Sequence, residues 1–360
     1  MIFELFARER AAGRPLVAAI VIATTGSTYR KAGAWMLFTQ SGERAGLLSG
    51  GCLENDLGER AVRLLADGRR LELTSYDSRS SDDPIWGLGL GCEGLMQILL
   101  LRVDAAGGYQ PLAELARLEA SGEAGCWSVA LRVPEAGLGQ GVGAGTGADG
   151  DSTPAISAGQ VWLEAHGQPA GLVTTTTLMG TSVELFIAQV ARIPRVLICG
   201  AGPDVEPVVA WGAALGWHFT VVDHRPAYID AARFPAARTV RRIDTGALAH
   251  ELELARFDAA VVMSHHLIAD GQYLAALAQT AIPYVGLLGP AARRERLFAE
   301  LGPAAAALRP RLRAPVGLDL GGRTPEAIAL SIVAELQATL HGRQGEPFSA
   351  HLGHPNPEDR

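Results

Sequence analysis

The chain has 360 residues, 48% hydrophobic, 19% charged and 6% aromatic, which excludes a mostly disordered or collagen-like polymer and suits two domains of roughly 100–200 residues each. Lys and Arg number 31 against 38 Asp and Glu, a net charge of -7, so the chain lacks the basic footprint of a nucleic-acid binder. No run reaches the ~18 apolar residues of a membrane span, and the N-terminus has no signal-peptide pattern, so a cytoplasmic protein without membrane contact is expected.

The chain opens with a helix. Residues 16–23, LVAAIVIA, are a β-branched apolar run between Pro15 and the turn at Gly26, and predict a buried strand. Apolar segments at 35–38, 45–48, 95–101 and 127–132, parted by glycine-bearing turns, predict an α+β domain with a sheet core. Residues 53–66 put Leu53, Leu57, Val62, Leu64 and Leu65 on one broad helical face, directly after Gly50, Gly51 and Cys52. Residues 134–159 carry eight glycines and hardly any large apolar side chain, the composition of a flexible loop. A strand-like pattern resumes over 160–175 and is expected to return to the first domain as a hairpin. The N-terminal domain is taken as 1–188, with the boundary near 188–194.

From there strand and helix patterns alternate, the mark of a parallel α/β sheet and thus of a C-terminal Rossmann-like domain over 189–342. RVLIC (195–199), HFTVVDH ending at Asp223, FDAAVVMS (257–264) and PYVGLL (283–288) predict strands, and 204–215 suits the first helix. The last helix starts at Thr324-Pro325, an N-cap followed by proline in the first helical position, and the polar tail 343–360 is expected to be disordered.

Two glycine-rich places carry the chemistry. Gly200-Ala201-Gly202 lies between a strand and a helix, and Asp223 ends the next strand 21 residues beyond Gly202. In a dinucleotide fold such glycines admit close backbone approach, helix amides face an anion, and the acid holds ribose hydroxyls. The fingerprint is incomplete: Val205 replaces its third glycine, Pro203 removes an amide, and Asp204 adds a negative charge where phosphate would sit. The competing reading is that the glycines only turn the chain. Arg225, Ser264, His265 and Asp270 fall at the same sheet edge; Arg225 suits a bidentate phosphate contact, and the His265-His266 pair suits hydrogen bonding or a metal. The competing reading is that they cap helices and decorate loops, and a metal cage would need two more ligands.

The first domain holds a denser cluster: Thr24 to Lys31 after a strand, Ser49-Gly50-Gly51-Cys52-Leu53-Glu54 opening a helix, and Gly87 to Cys92. Flexible backbone, small hydroxyls and the charges of Arg30 and Lys31, the only lysine, suit a polyanionic ligand with many acceptors. The four cysteines contain no CxxC and no crowded framework, so reduced thiols are expected. Cys52, at a helix N-terminus, is a candidate reactive or metal-coordinating thiolate, while Cys126 and Cys199 sit in strand-like apolar contexts as core fillers. Against this, small loop residues also serve tight turns alone.

ATTGSTYRKAGAWML (23–37), GLLSGGCLENDL (46–57) and GLGCEG (89–94) together resemble the XdhC/CoxI family of molybdenum enzyme accessory proteins. LICGAG, VVDHRP, SHHLIADGQYLAAL, PYVGLLGP with RRERL, and APVGLDLGGRTPEAIALSIVAEL are similar to that family's Rossmann domain in the same order. The chain departs from the family pattern at Glu93, His266 and Pro290. The resemblance implies a chaperone that binds the molybdenum cofactor, as molybdopterin or its nucleotide form, protects it and delivers it to the apoenzyme of a xanthine dehydrogenase-type molybdenum hydroxylase. It implies cofactor contacts at Gly26, Ser27, Tyr29, Arg30, Lys31, Ser49, Gly50, Gly51, Cys52, Glu54, Gly91 and Cys92. Cys52 would approach the molybdenum, and Gly200, Gly202, Asp223, Arg225, His265 and Asp270 would hold the nucleotide or phosphate end. Two other functions stand beside this one: an NAD(P)-dependent oxidoreductase built on the Rossmann-like half, and a sulfur-transfer factor in which Cys52 carries a persulfide, with a cysteine desulfurase as partner. A homodimer is the expected assembly.

Overall fold

A computed structural model describes residues 2–77, 94–133, 157–163, 172–178 and 181–347. The glycine-rich stretch 134–156, Gly87 to Cys92, Glu93, and the tail beyond 347 lie outside the described residues. The chain divides into two compact units, Met1–Arg192 and Ile193–Arg360.

In the first unit, α1 (Ile2–Ala11) leads into β1 (Leu16–Gly26), β2 (Trp35–Thr39) and β3 (Arg44–Gly46). α2 (Glu54–Ala66), β4 (Leu71–Asp77) and β5 (Gly94–Val103) complete a five-stranded antiparallel sheet of order β3-β2-β1-β5-β4. Strand alternation explains why β1 is apolar from Leu16 to Ile22: Leu16, Ala18, Ile20 and Ile22 enter one core with α1, while Val17, Ala19 and Val21 enter another beneath α2. β1 runs three residues past the apolar segment, since Ala23 to Gly26 still pair with Gln97 to Gly94 on β5 through main-chain bonds that need no apolar side chain. On α2 the face is Leu57, Ala61, Leu64 and Leu65; Val62, expected there, is 38% exposed because it falls one residue off the stripe.

α3 (Leu112–Ser121) and β6 (Gly125–Arg132) are followed by β7 (Val161–Trp162), β8 (Leu172–Leu178) and β9 (Thr181–Val190). These strands form a second sheet of order β7-β6-β9-β8. The hairpin expected over 160–175 is corrected here. β7 pairs with β6, and β8 pairs with β9, so the two halves of that segment occupy opposite sheet edges. Trp127, Val129, Leu131 and Phe186 from this sheet join the core that takes the even-numbered face of β1.

The second unit runs β10 (Arg195–Cys199), α4 (Val205–Ala214), β11 (His218–Asp223), β12 (Thr239–Arg242), α5 (Leu248–Glu251), β13 (Ala259–Val262), α6 (Leu267–Ala278), β14 (Tyr284–Leu287), α7 (Ala291–Leu301), α8 (Ala305–Leu308), β15 (Leu312–Arg313) and α9 (Pro325–Leu340). All pairs are parallel, in the order β12-β11-β10-β13-β14-β15. That order is the Rossmann arrangement, reversing direction between β10 and β13. Val196 and Ile198 face α4 and α9, whereas Leu197 and Cys199 face α6 and α7; burial on both sides makes these strands continuous apolar runs. Among the described residues, no helix is long and apolar enough to cross a membrane.

Candidate functional site

In the first unit, the β1–β2 and β3–α2 loops are fastened to one another. Arg30 Nε donates to the Leu47 carbonyl at 3.3 Å, and Thr28 Oγ1 donates to the Arg30 carbonyl at 2.9 Å. Gly94 permits this arrangement, because a Cβ there would lie 2.6 Å from the Ser27 carbonyl and 2.7 Å from Thr28 Cγ2. Gly26, Ser27, Tyr29, Arg30, Lys31, Gly50, Gly51 and Cys52 are all exposed, and Tyr29 is 55% exposed.

Beneath the Ser49–Cys52 turn lies Glu54, only 2% exposed. Its Oε1 accepts from the Ser49 amide at 2.7 Å and the Leu48 amide at 3.2 Å, its Oε2 accepts from the Ser49 hydroxyl at 2.5 Å, and Ser49 Oγ accepts from the Leu53 amide at 3.0 Å. Burial by itself would raise the Glu54 pKa; the Ser49 hydroxyl and the surrounding amides outweigh it and hold the carboxyl below its ordinary value. Glu54 and Ser49 thus face their own loop, because a buried carboxylate takes the nearest donors. The amides of Gly50, Gly51 and Cys52 have no acceptor among the described residues. Gly51 has φ +110°, a backbone conformation that favours glycine. The β1–β2 loop thus exposes Arg30 and Lys31, and the β3–α2 loop, tied to it at Leu47, exposes three free amides and the Cys52 thiol.

In the second unit, Asp223 ends β11 fully buried, with both oxygens occupied. Oδ2 accepts from the Ala201 amide at 2.8 Å and Arg225 Nη2 at 2.7 Å, and Oδ1 accepts from the Arg225 amide and Nε at 2.9 Å. Burial pushes the Asp223 pKa up, but the guanidinium and the two amides hold it down overall. Asp223 thus acts here as an internal clamp with Arg225 as its partner, stacked 3.8 Å over the Tyr228 ring. Asp270 is likewise buried: Oδ1 takes the Ser264 hydroxyl at 2.5 Å, and Oδ2 takes Arg293, at 3.1 Å from Nε. His266 Nδ1 accepts from the Ala269 amide as the N-cap of α6, which removes it from metal binding. His265 Nε2 meets Asp204 Oδ2 at 2.7 Å. Among the described residues no three His, Cys, Asp or Glu side chains could hold a metal. Cys199 is buried, which pushes its thiol pKa up, and Cys126 is shifted the same way. Arg293 and the Leu47 carbonyl were not singled out from the sequence. Arg293 is one of three arginines in a run on α7, and a backbone carbonyl has no residue-type signal.

An antiparallel α+β unit bearing an exposed Gly-Gly-Cys turn, followed by a Rossmann-ordered unit with its acids turned inward, defines a two-domain α/β protein. Residues 9–77 match the XdhC and CoxI family, and residues 196–336 match the XdhC Rossmann domain. A Bacillus subtilis (strain 168) protein, described as a probable subunit of xanthine dehydrogenase, is 33% identical over 338 residues, covering 90% of this chain and 92% of its own. The "Molybdenum cofactor insertion chaperone PaoD" of Escherichia coli (strain K12) is 24% identical over 335 residues, covering 91% and 85% respectively. A crystal structure described as a xanthine dehydrogenase from Bacillus halodurans matches with a TM-score of 0.73 at 30% identity, covering 96% of this chain and 98% of that one. This chain belongs to the XdhC and CoxI family.

Proposed function

We propose that the protein binds the molybdenum cofactor as cargo on its first unit and delivers it to a xanthine dehydrogenase-type apoenzyme. What supports this reading is that two loops tied by the Arg30 to Leu47 contact expose Arg30 and Lys31 on one and the Cys52 thiol and the unpaired amides of Gly50, Gly51 and Cys52 on the other. A pterin dithiolene with a phosphate tail presents many acceptors and a negative charge. Unpaired amides and an arginine answer oxygens, and a thiol has affinity for molybdenum or sulfur. The family relatives' names, one a cofactor insertion chaperone and the other a component of xanthine dehydrogenase, support the same direction.

The test is anaerobic purification from molybdate-supplied cells, followed by oxidation and fluorescence of released pterin. Near-stoichiometric pterin is expected from the wild type, with at least a tenfold loss, about 1.4 kcal/mol of binding, for Cys52→Ala and Arg30→Ala. No pterin from the wild type, even when isolated cofactor is offered, overturns the proposal. Retention of pterin by Cys52→Ala with failure to activate the target would favour the sulfur-transfer role of Cys52 instead.

A further inference from the structure

The second unit has Rossmann strand order, which places a ligand crevice at the reversal between β10 and β13. The residues there do not fit a dinucleotide. A diphosphate needs several free amides at the strand–helix turn, and this turn has lost most of them. The Ala201 amide is bound to Asp223 at 2.8 Å, and the Val205 amide is bound to the Gly202 carbonyl at 3.1 Å. Pro203 and Pro207 have no N–H. Asp204 puts a carboxylate at the head of α4, and Asp223 has no oxygen left for a ribose.

The glycines have another explanation. A Cβ at Gly200 would lie 2.5 Å from the Met263 carbonyl, so this glycine lets β10 and the end of β13 approach one another. A Cβ at Gly202 would lie 2.5 Å from Asp204 Oδ1 and 3.7 Å from His265 Cδ2. Gly202 thus makes room for a contact that spans the reversal: Asp204 on the β10 loop to His265 on the β13 loop, at 2.7 Å.

We propose that Asp204 and His265 form a latch across this crevice, which shuts it to dinucleotides and phosphate esters and must part before any ligand enters. Two unfavourable features mark the closed latch as one of two states. His265 holds φ +59°, a left-handed conformation rare outside glycine and asparagine. Asp204 Oδ1 is buried with no hydrogen-bond partner, although Asp204 stands at the N-cap of α4, where its carboxylate would ordinarily accept from a first-turn amide. Pro207 occupies the third helical position, so the Glu206 amide is the acceptor's remaining choice once the latch parts. His265 is 58% exposed on its side chain, so it can swing into solvent without breaking core packing. The inference concerns the second unit alone and does not depend on the proposed cofactor patch.

The full chain is titrated with NADH, NADPH and ADP, and hydrogen exchange is followed in the wild type, His265→Gly and His265→Asn. Both replacements accept φ +59° and lack the imidazole. The expected result is no saturable nucleotide binding by the wild type at millimolar concentration, with at least tenfold slower exchange at the Glu206 amide in both variants, where the freed Asp204 carboxylate caps α4. Unchanged protection over β10 and β13 in the same samples reports that the variants are folded. Saturable binding of any of the three nucleotides to the wild type overturns the closure. Unchanged or faster exchange at Glu206 in a folded variant overturns the latch.

Discussion

At the residue scale, the candidate site depends on a side chain that touches no solvent. Glu54 accepts three hydrogen bonds beneath the Ser49–Cys52 turn, and truncation would leave those donors buried without a partner. Glu54→Ala is expected to cost about 2–4 kcal/mol, measured as a fall in urea midpoint with the slope unchanged. Its pH dependence has a definite sign. A carboxyl whose pKa is lower folded than unfolded stabilises fully above the unfolded value, about 4, and loses that contribution as pH falls through the folded value. Glu54→Gln should therefore flatten the acid limb of stability below about pH 4, relative to the wild type, and an unchanged acid limb would show that folding leaves the Glu54 pKa where it is in the unfolded chain. Gly50 and Gly51 separate backbone need from ligand need. An alanine at 50 meets open space at negative φ, whereas Gly51 holds φ +110°. Gly50→Ala should change stability by under about 0.5 kcal/mol and Gly51→Ala by about 1–2 kcal/mol, read by thermal melts.

At the element scale, the two loops of the patch are positioned by strand pairing and helix attachment. Tyr76 OH donates to Asp56 at 2.5 Å, and Arg60 bridges Asp56 at 2.7 Å and Glu72 at 2.8 Å, tying α2 to β4. The Asp56 pairing, with burial ahead of it, raises the Tyr76 pKa, so this tie persists through the neutral range. Gly94, at the head of β5, lies against the Ser27 and Thr28 end of the β1–β2 loop. Gly94→Ala should destabilise by roughly 1–3 kcal/mol through overpacking against Ser27 and Thr28, and should lower pterin retention together with stability. Loss of retention with stability unchanged would show that the glycine serves the ligand directly. The amphipathic and buried elements β1, β5, α2, β10, β11 and β13 were legible from apolar patterning, and α9 from its Thr324-Pro325 cap. β12 and β15 were not, because they are four and two residues long and half exposed, too short to show a period.

At the scale of the whole molecule, apolar clusters divide as the chain does. Those of residues up to Ala188 and those from Val196 onward share no member, so each unit buries its own core. A fragment beginning at Ile193 should fold alone with one cooperative thermal transition and dispersed amide resonances. A molten fragment, with helical circular dichroism but no dispersion, would show that the second core depends on the first unit.

The sequence by itself determined the two-part order, the parallel α/β second half, the family, and the small-residue loops on which a ligand patch could be built. Periodicity and glycine placement are local properties, and they survive without knowledge of what lies opposite. Only the tertiary structure decided which polar residues face outward. Asp223, Asp270 and Glu54 look like ligands in a linear chain because each follows a strand or opens a helix. Folding places each beside donors of its own chain, and a buried carboxylate takes them rather than remain unpaired. The same physics leaves the amides of Gly50, Gly51 and Cys52 free, since their glycine-rich turn projects from the core on the support that Glu54 gives it from below.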